Sequence, residues 1–268
     1  MEKVTKTFFR KLVSTLPKRR KAQLLNLASN IVSRLSSQQK AELVNLVLSH
    51  IDEVSYFHLA KNGFRPNGII DIGAYHGEWS RSISRIYPNV PILMIEAQAE
   101  KKPQLESVCT QLSEAKFELS LLGDKEGAEA VFYVMETGSS LYSERSNMPR
   151  TRKILTMHTL DNLINKHPQL KMPLLIKLDV QGAELDVLSG GDHALALAEV
   201  VQLEVALMSY NQGAPDINRV LRFMAERGFV FFDICGFVKP IPRYLSQIDV
   251  LFVRKESKLR TDQFVFGT

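Results

Sequence analysis

Apolar positions along the chain follow two different periods. Up to about residue 63 they recur at helical spacing: Phe8, Phe9, Leu12, Val13 and Leu16, then Leu24, Leu25, Leu27, Ile31, Val32 and Leu35, then Leu43, Val44, Leu46, Val47 and Ile51. Pro17 suits the first turn of the second stripe. Ser36-Ser37-Gln38-Gln39 reads as a capping box, with Ser36 as N-cap and Gln39 three positions on. Asn62-Gly63 is a C-terminal stop for a further short helix. Residues 1–63 are therefore expected to form a helical cap or arm, and residues 64–268 a second domain.

From residue 68 short apolar runs alternate with amphipathic stretches. Strands are predicted at 68–72, 91–96, 116–122, 130–135, 174–178, 200–205, 229–234 and 249–253, with helices near 77–87, 101–112, 159–167 and 216–227. Residues 136–152 have no period and read as a loop. Strands that alternate with helices need crossover connections, which give an α/β fold with a doubly wound, mostly parallel sheet. The last two strands have no helix between them and should form an antiparallel hairpin at the sheet edge.

Composition narrows the class without changing this picture. The 268 residues are 45% hydrophobic and 24% charged, ordinary for a globular chain. No apolar run approaches the ~20 residues of a membrane-spanning helix. The N-terminus lacks the apolar core and cleavage site of a secretory signal, so a cytoplasmic location is expected. Cys109 and Cys235 are too few for a disulfide framework and sit among apolar neighbours. Charge is uneven: the net is +5, yet residues 1–40 hold ten Lys and Arg against Glu2 alone, leaving −4 on the rest. The Lys18-Arg19-Arg20-Lys21 tract has no interleaved aromatics, which speaks against single-stranded nucleic acid as a partner. A homo-oligomer through the N-terminal helices is expected instead.

Candidate chemistry lies at the carboxyl ends of the strands, where doubly wound sheets bind ligands. After the first strand comes Asp71-Ile72-Gly73-Ala74-Tyr75-His76-Gly77, in which Gly73 and Gly77 allow a sharp turn and close approach to a ligand. Its G-x-x-x-G spacing is not the G-x-G-x-x-G of nicotinamide-binding sheets. Glu96, 25 residues on, ends the second strand and can accept from both hydroxyls of a ribose. Asp124 follows the third strand and can accept from an adenine amino group. Three such acids suit an adenosine with an anionic tail but no phosphate, as in S-adenosylmethionine. Asp179 and Glu204 end the next two strands and are candidates for orienting or deprotonating an acceptor hydroxyl, with His158 behind them and His76 serving the cofactor turn. Paired carboxylates also suit Mg²⁺, but no further ligand set accompanies them, and no metal is expected.

These segments, with Ile95-Glu96, Ser139-Ser140-Leu141, Thr159-Leu160-Asp161, Ile176 through Glu184 and Leu203-Glu204-Val205, resemble the FkbM-type methyltransferase family over roughly residues 65–255. The most specific stretch is Asp179-Val180-Gln181-Gly182-Ala183-Glu184. The resemblance implies a class I methyltransferase-like fold and an S-adenosylmethionine-dependent O-methyltransferase for hydroxyls of sugars, glycans or polyketide-type metabolites. Tyr75 stands where asparagine is common in the family, and Gln181 where many members carry glutamate. The competing expectations are a nicotinamide-dependent oxidoreductase and a non-catalytic assembly protein working through its basic arm.

Overall fold

The computed structural model describes residues 18–40, 42, 51–145, 147–208, 211–238 and 245–260. It divides into two compact units, Met1–Ser49 and His50–Thr268. In the first, α1 (Lys18–Arg34) carries part of the second apolar stripe, and Leu27 and Ile31 are exposed on it. The capping box forms as expected: Gln39 N donates to Ser36 Oγ at 3.2 Å, and Ser36 N to Gln39 Oε1 at 3.0 Å. The stripes expected at 8–16 and 43–47 lie outside the described residues.

The second unit begins with α2 (Ile51–Lys61), which the sequence reading assigned to the N-terminal region. The second compact unit thus starts at His50, inside the region expected as helical up to residue 63. Tyr56 and Leu59 are each 1% exposed, and the Tyr56 hydroxyl donates to the Gln202 side-chain carbonyl inside the body. Ser55 Oγ also bonds Asp233 at 3.2 Å. The mixed composition of α2 hides this, because its buried face is built from a serine, a tyrosine and a leucine.

The body is a seven-stranded sheet in the order β3-β2-β1-β7-β8-β10-β9. Its strands are β1 (Gly68–Ile72), β2 (Ile92–Glu96), β3 (Ala115–Leu119), β7 (Leu174–Leu178), β8 (Ala198–Ala206), β9 (Phe229–Val238) and β10 (Gln247–Arg254). The pairs β1–β2, β2–β3, β1–β7 and β7–β8 are parallel. The expected antiparallel hairpin forms, but β10 inserts between β8 and β9, so β9 is the edge strand. This is the α/β class I methyltransferase fold. Strand faces divide by residue parity. Ile70, Ile72, Leu93, Ile95, Ile176 and Leu178 pack against α5 (Leu160–Ile164), α6 (Glu184–Ser189), α7 (Asp192–Leu197) and α8 (Ile217–Glu226). Ile69, Met94, Leu175 and Val200 pack against α2, α3 (Glu78–Ile86) and α4 (Lys102–Gln111). The strand order reverses between β1 and β7, which opens a crevice at their carboxyl ends.

A small sheet, β4-β6-β5, sits beside this crevice. The single strand expected over 116–122 is broken at Ser120, whose N–H turns to the Glu96 carbonyl at 2.9 Å. The following β4 (Leu121–Leu122) pairs with β6 (Thr151–His158), and β6 with β5 (Glu129–Val134). Strand β6 is absent from the sequence reading because it is largely exposed. Its central Ile154 is 70% exposed, so no buried face imposes a period. Among the described residues no helix is long and apolar enough to cross a membrane.

The place of α2 in the body has a measurable consequence. Leu59→Ala is expected to destabilise the protein by about 2–5 kcal/mol in denaturant titration, as for a fully buried leucine. Leu27→Ala on α1 should change stability by no more than about 0.5 kcal/mol.

Candidate active site

The turn after β1 is built by backbone demands. Gly73 N and Ala74 N both donate to the Ile95 carbonyl, at 2.9 and 3.1 Å. Gly73, Tyr75 and Gly77 have φ of 73°, 49° and 74°, in the left-handed region. A Cβ on Gly73 would collide with the Asp179 backbone carbonyl, and one on Gly77 would lie 2.7 Å from Val108 Cγ2. The space at Gly73 is closed by the carbonyl of the neighbouring strand end, while Gly77 packs the turn on α4. Asp71 lies beneath and is fully buried, accepting from Ser80 Oγ at 2.7 Å and Lys177 Nζ at 3.2 Å. It braces the turn and does not border the crevice.

The crevice holds a cavity of about 270 Å³, bordered by Gly73, Ala74 and Tyr75, by Glu96 and Gln98, by Ser120 to Leu122, and by Asp179 to Gln181. Of the expected cofactor residues it gathers Gly73, Tyr75 and Glu96. Glu96 Oε2 accepts from Tyr75 N and Oε1 from Gln98 N, both at 2.8 Å. Burial pushes the Glu96 carboxyl above the ordinary glutamate range, against the lowering effect of those two N–H groups. His76 stands outside the lining and stacks on Tyr75, with ring centroids 3.8 Å apart. Asp124 is exposed and does not reach the cavity either. The break at Ser120 carries the chain away first and brings Ser120 to the wall instead. Ser120 Oγ is buried there without a hydrogen-bond partner among the described residues.

On the opposite wall an acid cluster surrounds Lys177, whose ammonium lies 3.2 Å from Asp71, 3.2 Å from the Gly73 carbonyl and 3.7 Å from Asp179. Burial disfavours the charge on Lys177, but Asp71 and Asp179 more than offset this and hold its pKa above the ordinary value. Asp179 borders the cavity. Burial raises its pKa, yet Lys177 and hydrogen bonds from Glu204 and Gln181 bring it below the usual aspartate range. Glu204 does not border the cavity and is 7% exposed. Burial first, and then the Asp179 charge, push its carboxyl well above the glutamate range. The two carboxyls are thereby pushed apart, Asp179 toward its ionised form at the cavity and Glu204 toward its protonated form behind it. Glu184 accepts from Val180 N and Gly182 N, each at 3.1 Å, and burial raises its pKa to about 7. Asp249, opposite Glu204 in the β8–β10 register, is likewise raised to about 7 by burial and by Asp179.

His158 is not brought to this site. Its Nδ1 lies 2.7 Å from Glu126, which also accepts from Thr159 N at 2.8 Å and so ties the end of β6 to α5. That N–H and His158 push the Glu126 carboxyl down to about 2. Among the described residues no group of three or more His, Cys, Asp or Glu is arranged to hold a metal ion.

Lys177, Gln98, Ser120 and Glu136 border the cavity as well and were not among the expected site residues. Lys177 has a sequence signal, a lone charge inside the otherwise apolar Leu174-Leu175-Ile176-Lys177-Leu178. Glu136 has none. It reaches the cavity because a short helical turn, Glu136–Gly138, folds back so that its carboxylate accepts from the Tyr75 hydroxyl at 2.8 Å and Lys101 Nζ at 2.9 Å.

Residues 71–231, more than half of the chain, match the model of the methyltransferase FkbM domain. The chain belongs to that family. The matched span contains the glycine turn, Glu96, the Asp179 stretch and Glu204, and it sets aside the expectations of a nicotinamide oxidoreductase or a purely structural protein. No curated protein is significantly similar to this methyltransferase in sequence. Several solved structures are similar in outline. The precorrin-6y C5,15-methyltransferase of Geobacter metallireducens is 10% identical, covering 76% of this chain and 87% of that one, with a TM-score of 0.43. The magnesium protoporphyrin IX methyltransferase of Synechocystis, solved with bound S-adenosylmethionine, is 11% identical, covering 82% and 85%, with a TM-score of 0.44. An rRNA methylase of Streptococcus thermophilus is 11% identical, covering 75% and 94%, with a TM-score of 0.41.

The raised carboxyls make stability depend on pH with a definite sign. The Asp249 carboxyl takes up its proton near pH 7 in the folded protein and near 3.8 when unfolded. Its contribution favours folding below about pH 4 and is lost as pH rises through about 7. Denaturant titrations across pH 4–8 should show wild-type stability falling over that window more steeply than that of Asp249→Asn. Parallel curves would show that Asp249 does not hold its proton.

Proposed function

We propose that this methyltransferase uses S-adenosylmethionine to methylate a hydroxyl of a sugar, glycan or polyketide-type metabolite. The observation that carries the reading is Glu96. Its carboxylate is fixed at the cavity wall by two backbone N–H groups, and an ionised carboxylate can accept about four hydrogen bonds, so acceptor positions remain for the two hydroxyls of a ribose. The unpartnered Ser120 Oγ supports an adenine on the same side, since a buried hydroxyl without a partner costs about 1–3 kcal/mol until one arrives. Glu96 and Ser120 would hold the adenosine, with the Gly73-Ala74 turn beside them. When bound, the cofactor supplies an electrophilic methyl group on a sulfonium.

What the chain's own residues do follows from the acid cluster. Asp179 is ionised and borders the cavity, so it can accept a hydrogen bond from an alcohol and orient its oxygen within the ~3–3.5 Å that displacement needs. As that oxygen's electron pair would form the new bond to the methyl carbon, the carbon–sulfur bond would break with its pair left on a neutral thioether sulfur, and Asp179 would take the alcohol proton. Glu204, held toward its protonated form, hydrogen-bonds to Asp179, so it acts through Asp179 and not on the acceptor. Lys177 stays charged throughout and balances the site. The basic N-terminal helices, with Leu27 and Ile31 exposed on α1, fit self-association, and a cytoplasmic location fits a soluble acceptor.

Calorimetric titration with S-adenosylmethionine tests the cofactor reading. Glu96→Ala should lose about 1.5–3 kcal/mol, roughly 10–150-fold in affinity. Glu96→Gln should lose nearly as much, because its amide NH₂ must face a backbone N–H that now meets a carboxylate oxygen. Unchanged affinity in both variants would remove Glu96 from the site.

For the acceptor side, labelled S-adenosylmethionine and a panel of hydroxylated sugars and polyketides should yield a methyl ether on oxygen. On that acceptor Asp179→Asn should lower the rate by about 10²–10⁴-fold while cofactor affinity holds. Near-normal turnover in Asp179→Asn would assign the base elsewhere.

A further inference from the structure

Between the two carboxyls of the acid cluster stands a side chain with no proton to give or take. Gln181 Nε2 donates to Asp179 Oδ1 at 2.9 Å and lies 2.8 and 2.9 Å from the two oxygens of Glu204. An amide NH₂ offers two donors and no charge. One hydrogen can serve each carboxyl, which bridges a pair that could not both ionise at such close range.

The backbone of Gln181 is held as firmly as its side chain. Its φ is 55°, in the left-handed region that a residue with a side chain rarely adopts. Its carbonyl accepts from Ser140 Oγ at 2.8 Å and Asn211 Nδ2 at 2.6 Å. Ser140 and Asn211 are 1% and 5% exposed. Ser140 comes from the connection between β5 and β6, and Asn211 from that between β8 and α8. Two long connections thus converge on one carbonyl, and the side chain it anchors points at the acid bordering the cavity.

We infer that Gln181 is a positioning residue for methyl transfer: clamped through its carbonyl by Ser140 and Asn211, its amide aims Asp179 at the acceptor and keeps Glu204 behind it. This rests on Asp179 being the acceptor-side acid. Gln181 acts through Asp179 and exchanges no proton itself. The other charged groups around the pair are Lys177 from β7, Asp71 from β1, Glu184 from α6 and Asp249 from β10. The clamp also makes the two connections part of the machinery, because a shift in either moves the amide and with it Asp179. A glutamate at 181 would instead set a third carboxyl between the two.

Carboxyl titration by ¹³C NMR on the full-length protein tests this without knowledge of the acceptor. In wild type, Asp179 should titrate below an ordinary aspartate and Glu204 above an ordinary glutamate. Gln181→Asn tolerates the positive φ but is one methylene too short to span the pair. Both titrations should then move by about one pH unit or more. Ser140→Ala, which frees the carbonyl on one side, should move them in the same direction by less. If Gln181→Asn loses its fold, Ser140→Ala carries the test, since it loosens the amide without changing it, and wild-type titrations in that variant would then overturn the inference. On an acceptor that wild type methylates, Gln181→Asn should lower kcat by about 10²-fold with little change in the KM for S-adenosylmethionine. Wild-type titrations in a folded Gln181→Asn protein would overturn the inference. Failure of S-adenosylmethionine to bind wild type would instead overturn the cofactor reading, and full activity in Asp179→Asn the assignment of the acid.

Discussion

A buried ammonium joins the two central strands of this protein. Lys177 projects from β7 against Asp71 of β1 and the carbonyl of Gly73, with Asp179 beside it. A charge taken out of water costs several kcal/mol unless its partners are well placed. Here the partners include the residues that shape the crevice. Asp71 in turn accepts from Ser80 of α3, so the helix after the glycine turn is fixed to the same charge. Removing either member of the Lys177–Asp71 pair would strand the other in the core. That is why a charged residue persists among leucines and isoleucines.

The same ammonium makes neighbouring carboxyls differ. Asp179 lies close enough to Lys177 to ionise readily, while Glu204, Glu184 and Asp249 are held by burial and by the Asp179 charge toward their protonated forms. The result is an acid at the cavity wall held toward its anion, with acids behind it whose affinity for protons is raised. On the other wall Glu96 is kept in place by the backbone N–H groups of Tyr75 and Gln98. The two walls thus differ in kind, a fixed hydrogen-bond acceptor on one and a charge-tuned acid on the other.

Much of this was legible in the sequence. The short apolar runs located each strand of the seven-stranded sheet, and acids at strand ends pointed to Glu96 and Asp179. What was not legible depended on tertiary placement. Asp71 and Glu204 have the residue type and spacing of site acids, but the pleat turns Asp71 under the glycine turn and leaves Glu204 behind Gln181. Asp124 was displaced by a strand break at Ser120, and nothing in Lys116 through Leu122 signals a change of sheet. His158 follows an exposed strand with no period, so its position beside Glu126 could not be foreseen. The contact that makes a side chain impossible at Gly73 was not legible either, because the carbonyl it would meet belongs to Asp179, more than a hundred positions later.

The most direct measurement is a crystal structure of the protein with S-adenosylhomocysteine. The account predicts both ribose hydroxyls on the Glu96 carboxylate, the adenine beside Ser120, and the sulfur turned toward the wall that carries Asp179. A nucleoside bound with its ribose away from Glu96, or with its sulfur facing away from Asp179, would contradict it.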